Sequence, residues 1–85
     1  MINGELMGLD MLNVGESGYV DTLPLTAEKR RRLMALGLIK GTKITVVNQS
    51  PLGDPKAYFF RGSVIALRKS DACTIKISRK PQNQY

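Results

Sequence analysis

The hydrophobic period of this chain changes at Gly37, and that change restricts the fold more than any other feature. Before it, at about 100° per residue, Ala27, Leu33, Met34 and Leu36 fall within one arc while Glu28, Arg31, Arg32 and Ala35 face away, the pattern of a short amphipathic helix. Thr26 offers an N-cap oxygen, and Pro24 breaks whatever strand comes before. Gly37 provides a left-handed stop, with Leu38 folding back on the last turn. After it the chain alternates with period two: Thr42 to Gln49 reads as a strand, bent where Val46 and Val47 stand side by side. Ser50 to Pro55 must then turn. Pro51 fixes its own φ, Gly53 permits a positive one and Asp54 hydrogen-bonds nearby amides, which makes a rigid tip carrying Leu52.

Four more segments read as strands. Gly18 to Leu23 has the β-branched and aromatic content of a first strand, with Val20 and Leu23 turned inward. Lys56 to Arg61 puts Tyr58 and Phe60 on one face and Ala57, Phe59 and Arg61 on the other. After a tight turn or bulge at Gly62, Ser63 to Leu67 turns Ile65 and Leu67 to the core, and Thr74 to Ile77 closes the set. Leu9, Met11 and Leu12 form an apolar satellite at one end, and Lys69 to Ala72 is a polar corner with room for one 3₁₀ turn. Residues 1–8 read as a loose lead-in and 78–85 as a frayed polar tail, leaving 9–77 as the domain. Five short strands, one helix inside the first long connection and no βαβ rhythm predict a mainly β fold. It is a small partly open barrel of the SH3-like kind, with an OB-like barrel as the alternative.

A chain of 85 residues allows one domain that hides about 60–65% of its unfolded surface. No apolar run approaches the roughly 20 residues of a spanning helix, and no basic start leads into an unbroken apolar stretch. The expectation is a cytoplasmic protein with no membrane insertion. The single cysteine, Cys73, suits a reducing compartment and reads as a small buried residue. Histidine is absent altogether, which removes the usual triads and most zinc or iron sites. The acids Glu5, Asp10, Glu16, Asp21, Glu28, Asp54 and Asp71 never stand three or four apart on a convincing helix, and no phosphate-cradling glycine string occurs. No catalytic residue, cofactor or metal site is expected, and the chain reads as non-enzymatic.

A net charge of +6 steers the protein toward an acidic partner, a phosphate backbone or an anionic leaflet. In the run Lys29-Arg30-Arg31-Arg32, the stems of Lys29 and Arg30 flank the apolar arc and cover the core edge. Arg31 and Arg32 project away from it and form the candidate pair for a partner. The second candidate is Leu52 with Asp54 beside it, a stiff apolar knob that loses little order on binding. Phe59, if it faces out, would extend that patch; the alternative is that it rests against the helix.

The succession Leu36-Gly37-Leu38, Lys40-Gly41-Thr42, the run Ile44 to Val47, Pro51-Leu52-Gly53-Asp54-Pro55, Arg61-Gly62 and Ala66-Leu67-Arg68 resembles the FeoA family, the small cytoplasmic partner proteins of the bacterial ferrous iron transporter FeoB. The resemblance spans Leu9 to Ile77. It implies the SH3-like form of the barrel, a helix inserted between the first two strands, and Tyr58 and Phe60 turned inward. It also implies a non-enzymatic accessory protein that binds the cytoplasmic region of a FeoB-like transporter and modulates transport or its GTPase. Transition metal ion binding enters at family level alone, since no specific iron site is expected here. Phe59 and Ser63 depart from the family's polar and aromatic preferences, so the surface around them is individual to this chain. Two alternatives stand beside this reading. One is a small basic nucleic-acid-binding barrel, which inward-turned Tyr58 and Phe60 leave short of stacking surface, so that no nucleic acid is expected. The other is a regulatory module related to the SH3-like domain of metal-dependent repressors, here without a preceding helix-turn-helix. Homo-oligomerisation stays open.

Overall fold

The computed structural model describes residues 6–24 and 26–80; the outer parts of the expected lead-in and tail, 1–5 and 81–85, lie outside the described residues. In chain order the elements are β1 (Met7–Gly8), a 3₁₀ turn (Leu9–Met11), β2 (Ser17–Thr22), α1 (Ala27–Ala35), β3 (Lys43–Gln49), β4 (Lys56–Phe60), β5 (Ser63–Leu67), α2 (Lys69–Ala72) and β6 (Lys76–Ser78). The strands form one antiparallel sheet in the order β1-β6-β2-β3-β4-β5, curled but not closed. The expected mainly β, partly open form with a helix in the first long connection is what the chain adopts. The strand beyond the five expected is β1: Met7 and Gly8, read as lead-in, pair with Ile77 and Lys76. Two residues carry no period, so that pairing was invisible locally.

Helix α1 ends as the sequence dictates. Gly37 has φ +99°, its N–H donates to the Met34 carbonyl at 2.9 Å, and the Leu38 N–H donates to the Leu33 carbonyl at 3.0 Å. These are the two bonds of a Schellman stop, and they deliver Leu38 fully buried into the core. The start is weaker, because Thr26 is extended at the N-cap position but its hydroxyl makes no capping bond. The apolar arc needs correction. Leu33 is the buried residue of α1, while Met34 and Leu36 remain 47% and 46% exposed. A nine-residue helix laid tangentially on a small curved sheet buries one narrow stripe.

Register in the sheet follows the alternation. Val46 pairs with Tyr58 and Asn48 with Ala57, so Val47 is the extra residue of a bulge, the bend its adjacency to Val46 predicts. Phe60 pairs with Ser63 across a two-residue turn in which Arg61 (φ 51°) and Gly62 (φ 80°) are both left-handed, the I′ geometry that matches strand twist. Tyr58 and Phe60 are buried with Val20, Ile44, Val46, Ile75 and Ile77. The final strand, expected at Thr74 to Ile77, starts two residues later and ends one later, at Lys76–Ser78, with Ile75 entering the core just before it.

Leu9 and Leu12 belong to the core rather than to a satellite; both are fully buried, whereas Met11 is exposed. The Leu9 N–H donates to the Ile75 carbonyl at 2.9 Å. The Lys56 ammonium donates to the carbonyls of Asp10 (2.8 Å) and Leu12 (2.6 Å), tying the 3₁₀ turn to β4. Cys73 is corrected from buried to exposed. The short helix α2 turns Ala72 into the core, which leaves Cys73, at its C-cap, pointing outward with its thiol donating to the Ser70 carbonyl at 3.3 Å.

Candidate interaction surface

Arg31 and Arg32 are both exposed on α1, yet they do not act as a pair. Neighbouring helical residues diverge by about 100°. Arg32 lines a cleft of about 200 Å³ between α1 and α2, floored by Pro24, Leu33, Leu67 and Ile75 and rimmed by Glu28, Lys29, Asp71 and Thr74. Arg31 lies on the other flank, beside Ala27, Arg30, Met34 and Ala35. Across the cleft the Lys29 ammonium meets the Asp71 carboxylate at 3.0 Å, with both side chains about half exposed. Solvent screens such a pair, so it orients α1 more than it stabilises it. Arg30 Nε donates to the Pro24 carbonyl at 3.1 Å, which steadies the first turn. Neither the cleft nor the Lys29–Asp71 pair was legible beforehand, since the two residues are 42 apart in sequence.

The tip between β3 and β4 is rigid for reasons that can be counted. The Ser50 N–H donates to the Pro55 carbonyl (3.1 Å), the Gly53 N–H to the Ser50 carbonyl (2.8 Å), and the Ser50 hydroxyl to the Asp54 carbonyl (2.8 Å). Asp54 uses its carboxylate as well: Oδ1 accepts the Lys69 N–H at 2.8 Å and so caps the first turn of α2 from another part of the chain. Leu52 stands at the apex, 95% exposed. Asp54 is therefore a brace for the knob, and the amide it binds is not one near it in the tip, as the sequence suggests, but that of Lys69 at the start of α2.

Phe59 faces out and is 41% exposed, but it does not extend the Leu52 patch. It stands five positions after Asp54, with four residues of β4 and its lead between them, roughly 16 Å along an extended chain. Its neighbours across the sheet are Thr45 and Val64. The five residues singled out thus divide into four places: the two flanks of α1, the tip, and the outer face of β4.

Under the tip, Tyr58 is held neutral, its phenol pushed up to about 12 first by burial and then by the negative charges of Asp10 and Asp54. On the far side Glu16 is lowered, chiefly because its carboxylate accepts the Asn13 N–H at 2.8 Å, with Arg79 adding to the effect. Among the described residues no group of three or more cysteine, aspartate or glutamate side chains is placed to hold a metal ion, and no helix is long and apolar enough to cross a membrane.

The chain as a whole matches known proteins in sequence and in fold. A family model described as the FeoA domain matches residues 7–79. The chain belongs to the FeoA family. A curated relative from Porphyromonas gingivalis, 31% identical over 71 residues, is an Fe(2+) transport protein A/Fe(2+) transporter FeoB fusion protein; the alignment takes in 84% of this chain and 8% of that protein's length. FeoA from Chlorobium tepidum superposes with a TM-score of 0.79 at 35% identity, over 85% of this chain and 69% of that one. Stenotrophomonas maltophilia FeoA, solved with zinc and described as a prokaryotic SH3 domain protein, superposes at 0.70 with 31% identity, over 84% and 88%. The FeoA fold is therefore the SH3-like form of the small barrel, and the OB-like alternative is set aside. A manganese-dependent transcriptional repressor superposes at 0.79 over 92% of this chain and 44% of its own; at 13% identity that likeness is one of fold.

Proposed function

We propose that this chain is a non-enzymatic accessory protein of ferrous iron uptake that works in the cytoplasm, where it binds the cytoplasmic region of a FeoB-like transporter and modulates transport or its GTPase. The observation that carries the reading is the relative in which the corresponding segment is joined to the transporter in one polypeptide. A covalent link replaces an association by holding two modules at high effective concentration, which selection favours where the modules already meet. The knob at Leu52 and the basic flank of α1 supply contact chemistry of two kinds: a stiff apolar anchor and long cations that raise encounter rates with an acidic surface. Arg31 and Arg32, on separate flanks, would meet different parts of such a partner.

Calorimetry with the purified chain and the isolated cytoplasmic region of a FeoB-like transporter tests this. Saturable binding that Leu52→Asp weakens supports the reading, and no heat or cross-link at any attainable concentration sinks it. Titration with a single-stranded oligonucleotide serves as the contrast. In a nucleic-acid barrel it would bind with a steep salt slope, whereas this chain, with Tyr58 and Phe60 buried, should show no binding at physiological salt.

A further inference from the structure

The sheet has two free edges, and they are managed differently. β1 limits itself by being two residues long. β5 is five residues, Ser-Val-Ile-Ala-Leu, without charge or proline, and its register with β4 runs unbroken from Lys56–Leu67 to Phe60–Ser63. It lacks the devices that natural edges use against pairing with another strand.

Backbone accounting shows what that edge offers. The two-residue turn makes Phe60 and Ser63 a pair that exchanges both backbone bonds, so the ladder continues with Tyr58–Ile65 and Lys56–Leu67 as bonded pairs. Val64 and Ala66 occupy the alternate positions, and their N–H and C=O groups point away from β4. No backbone group among the described residues takes them up. Their side chains lie on the outer face, where Val64 is 57% exposed directly across from Phe59. Two unused donors, two unused acceptors and an exposed apolar pair therefore share one edge.

Charge decides between occupants. Arg61 stands two residues before β5, and Arg68 and Lys69 follow it immediately, all exposed. Antiparallel pairing of β5 with a second copy would set the Arg61 end of one against the Arg68–Lys69 end of the other, in molecules that each carry +6. That arrangement is repulsive. An extended strand with carboxylates at its ends meets the same cations favourably.

We propose that the free edge of β5 captures, by strand addition, an extended segment of another protein that has apolar residues beside Val64 and Ala66 and acidic residues at its two ends. The inference goes beyond the transporter reading and holds whichever protein supplies the segment.

The test uses the full chain, labelled with ¹⁵N, and a synthetic mixture of nine-residue peptides with two aspartates at each end and Val, Ile, Thr or Phe at the five central positions. In the free protein the Val64 and Ala66 amides should exchange rapidly with solvent. At saturating peptide their exchange should slow about tenfold or more, as occupancy of about nine-tenths requires. Lysine-ended peptides should bind about fivefold more weakly, the scale of two screened rim pairs. Ala66→Pro removes an N–H that the β4 ladder does not use and should abolish protection at Val64 while leaving the melting temperature close to that of the parent. Val64→Lys provides a second block that leaves the backbone alone. The proposal is overturned if millimolar peptide mixture fails to protect Val64 and Ala66, if lysine-ended peptides bind equally well, or if sedimentation shows a dimer in which the two amides are already protected without peptide.

Discussion

Helix α1 and the Ser50–Pro55 tip both carry side chains that the sequence singles out, and they are held in opposite ways. The helix rests on one buried side chain, Leu33, on a solvent-screened Lys29–Asp71 pair and on its glycine stop. The tip buries little but is cross-braced by backbone and side-chain bonds, one of them reaching from Asp54 to the start of α2. A surface held by packing on one residue can tilt or fray; a surface held by short local bonds cannot, because each bond removes a torsional freedom. The difference assigns them different parts in recognition. The tip offers pre-ordered contact at small entropic cost, and the helix offers charge on a base that opens more readily.

The comparison breaks most visibly at Leu33. Leu33→Ala should cost about 2–3 kcal/mol in urea unfolding, since it removes the packing side chain of α1, and amide exchange should accelerate through α1 before it does in β3 and β4. Gly37→Ala comes next, at about 1–2 kcal/mol for a left-handed position occupied by a side chain. Part of that loss should return with Arg61→Ala, because a Cβ at Gly37 would sit 2.8 Å from the Arg61 Cδ. Asp54→Ala sharpens the other half: losing the carboxylate that accepts the Lys69 N–H should cost about 1 kcal/mol, with Asp54→Asn recovering most of it in thermal melts. Leu52→Ala should change stability least, by less than about 0.5 kcal/mol, because nothing in the fold depends on a fully solvated side chain. Any loss of affinity for a transporter's cytoplasmic region in that variant would then report contact alone.

Much of the fold could be read locally. The stop at Gly37, the reversal at Gly62 and the bend at Val46-Val47 each follow from one or two residues with a strong backbone preference, whereas the inward facing of Tyr58 and Phe60 came from the family resemblance and not from the alternation alone. For the candidate surface the sequence offered single residues and not their arrangement. Leu52 is as exposed as its place between two prolines suggests, but Asp54 accepts from the distant Lys69 amide rather than a nearby one, Phe59 stood apart from the tip, and Arg31 and Arg32 parted to different flanks.

Periodicity and turn chemistry act within a few residues, so by itself the sequence determined where the helix stops, where the chain reverses and which face of each strand is greasy. It could not decide how far a short helix sinks into a small curved sheet, whether Ala72 or Cys73 wins the buried place, or which edge strand goes unpaired, and its readings of Met34, Leu36 and Cys73 as buried were overturned. Those are contests between segments distant in the chain for a limited amount of interior. They are settled by the geometry of the folded shape, because burial is a property of neighbours rather than of residues.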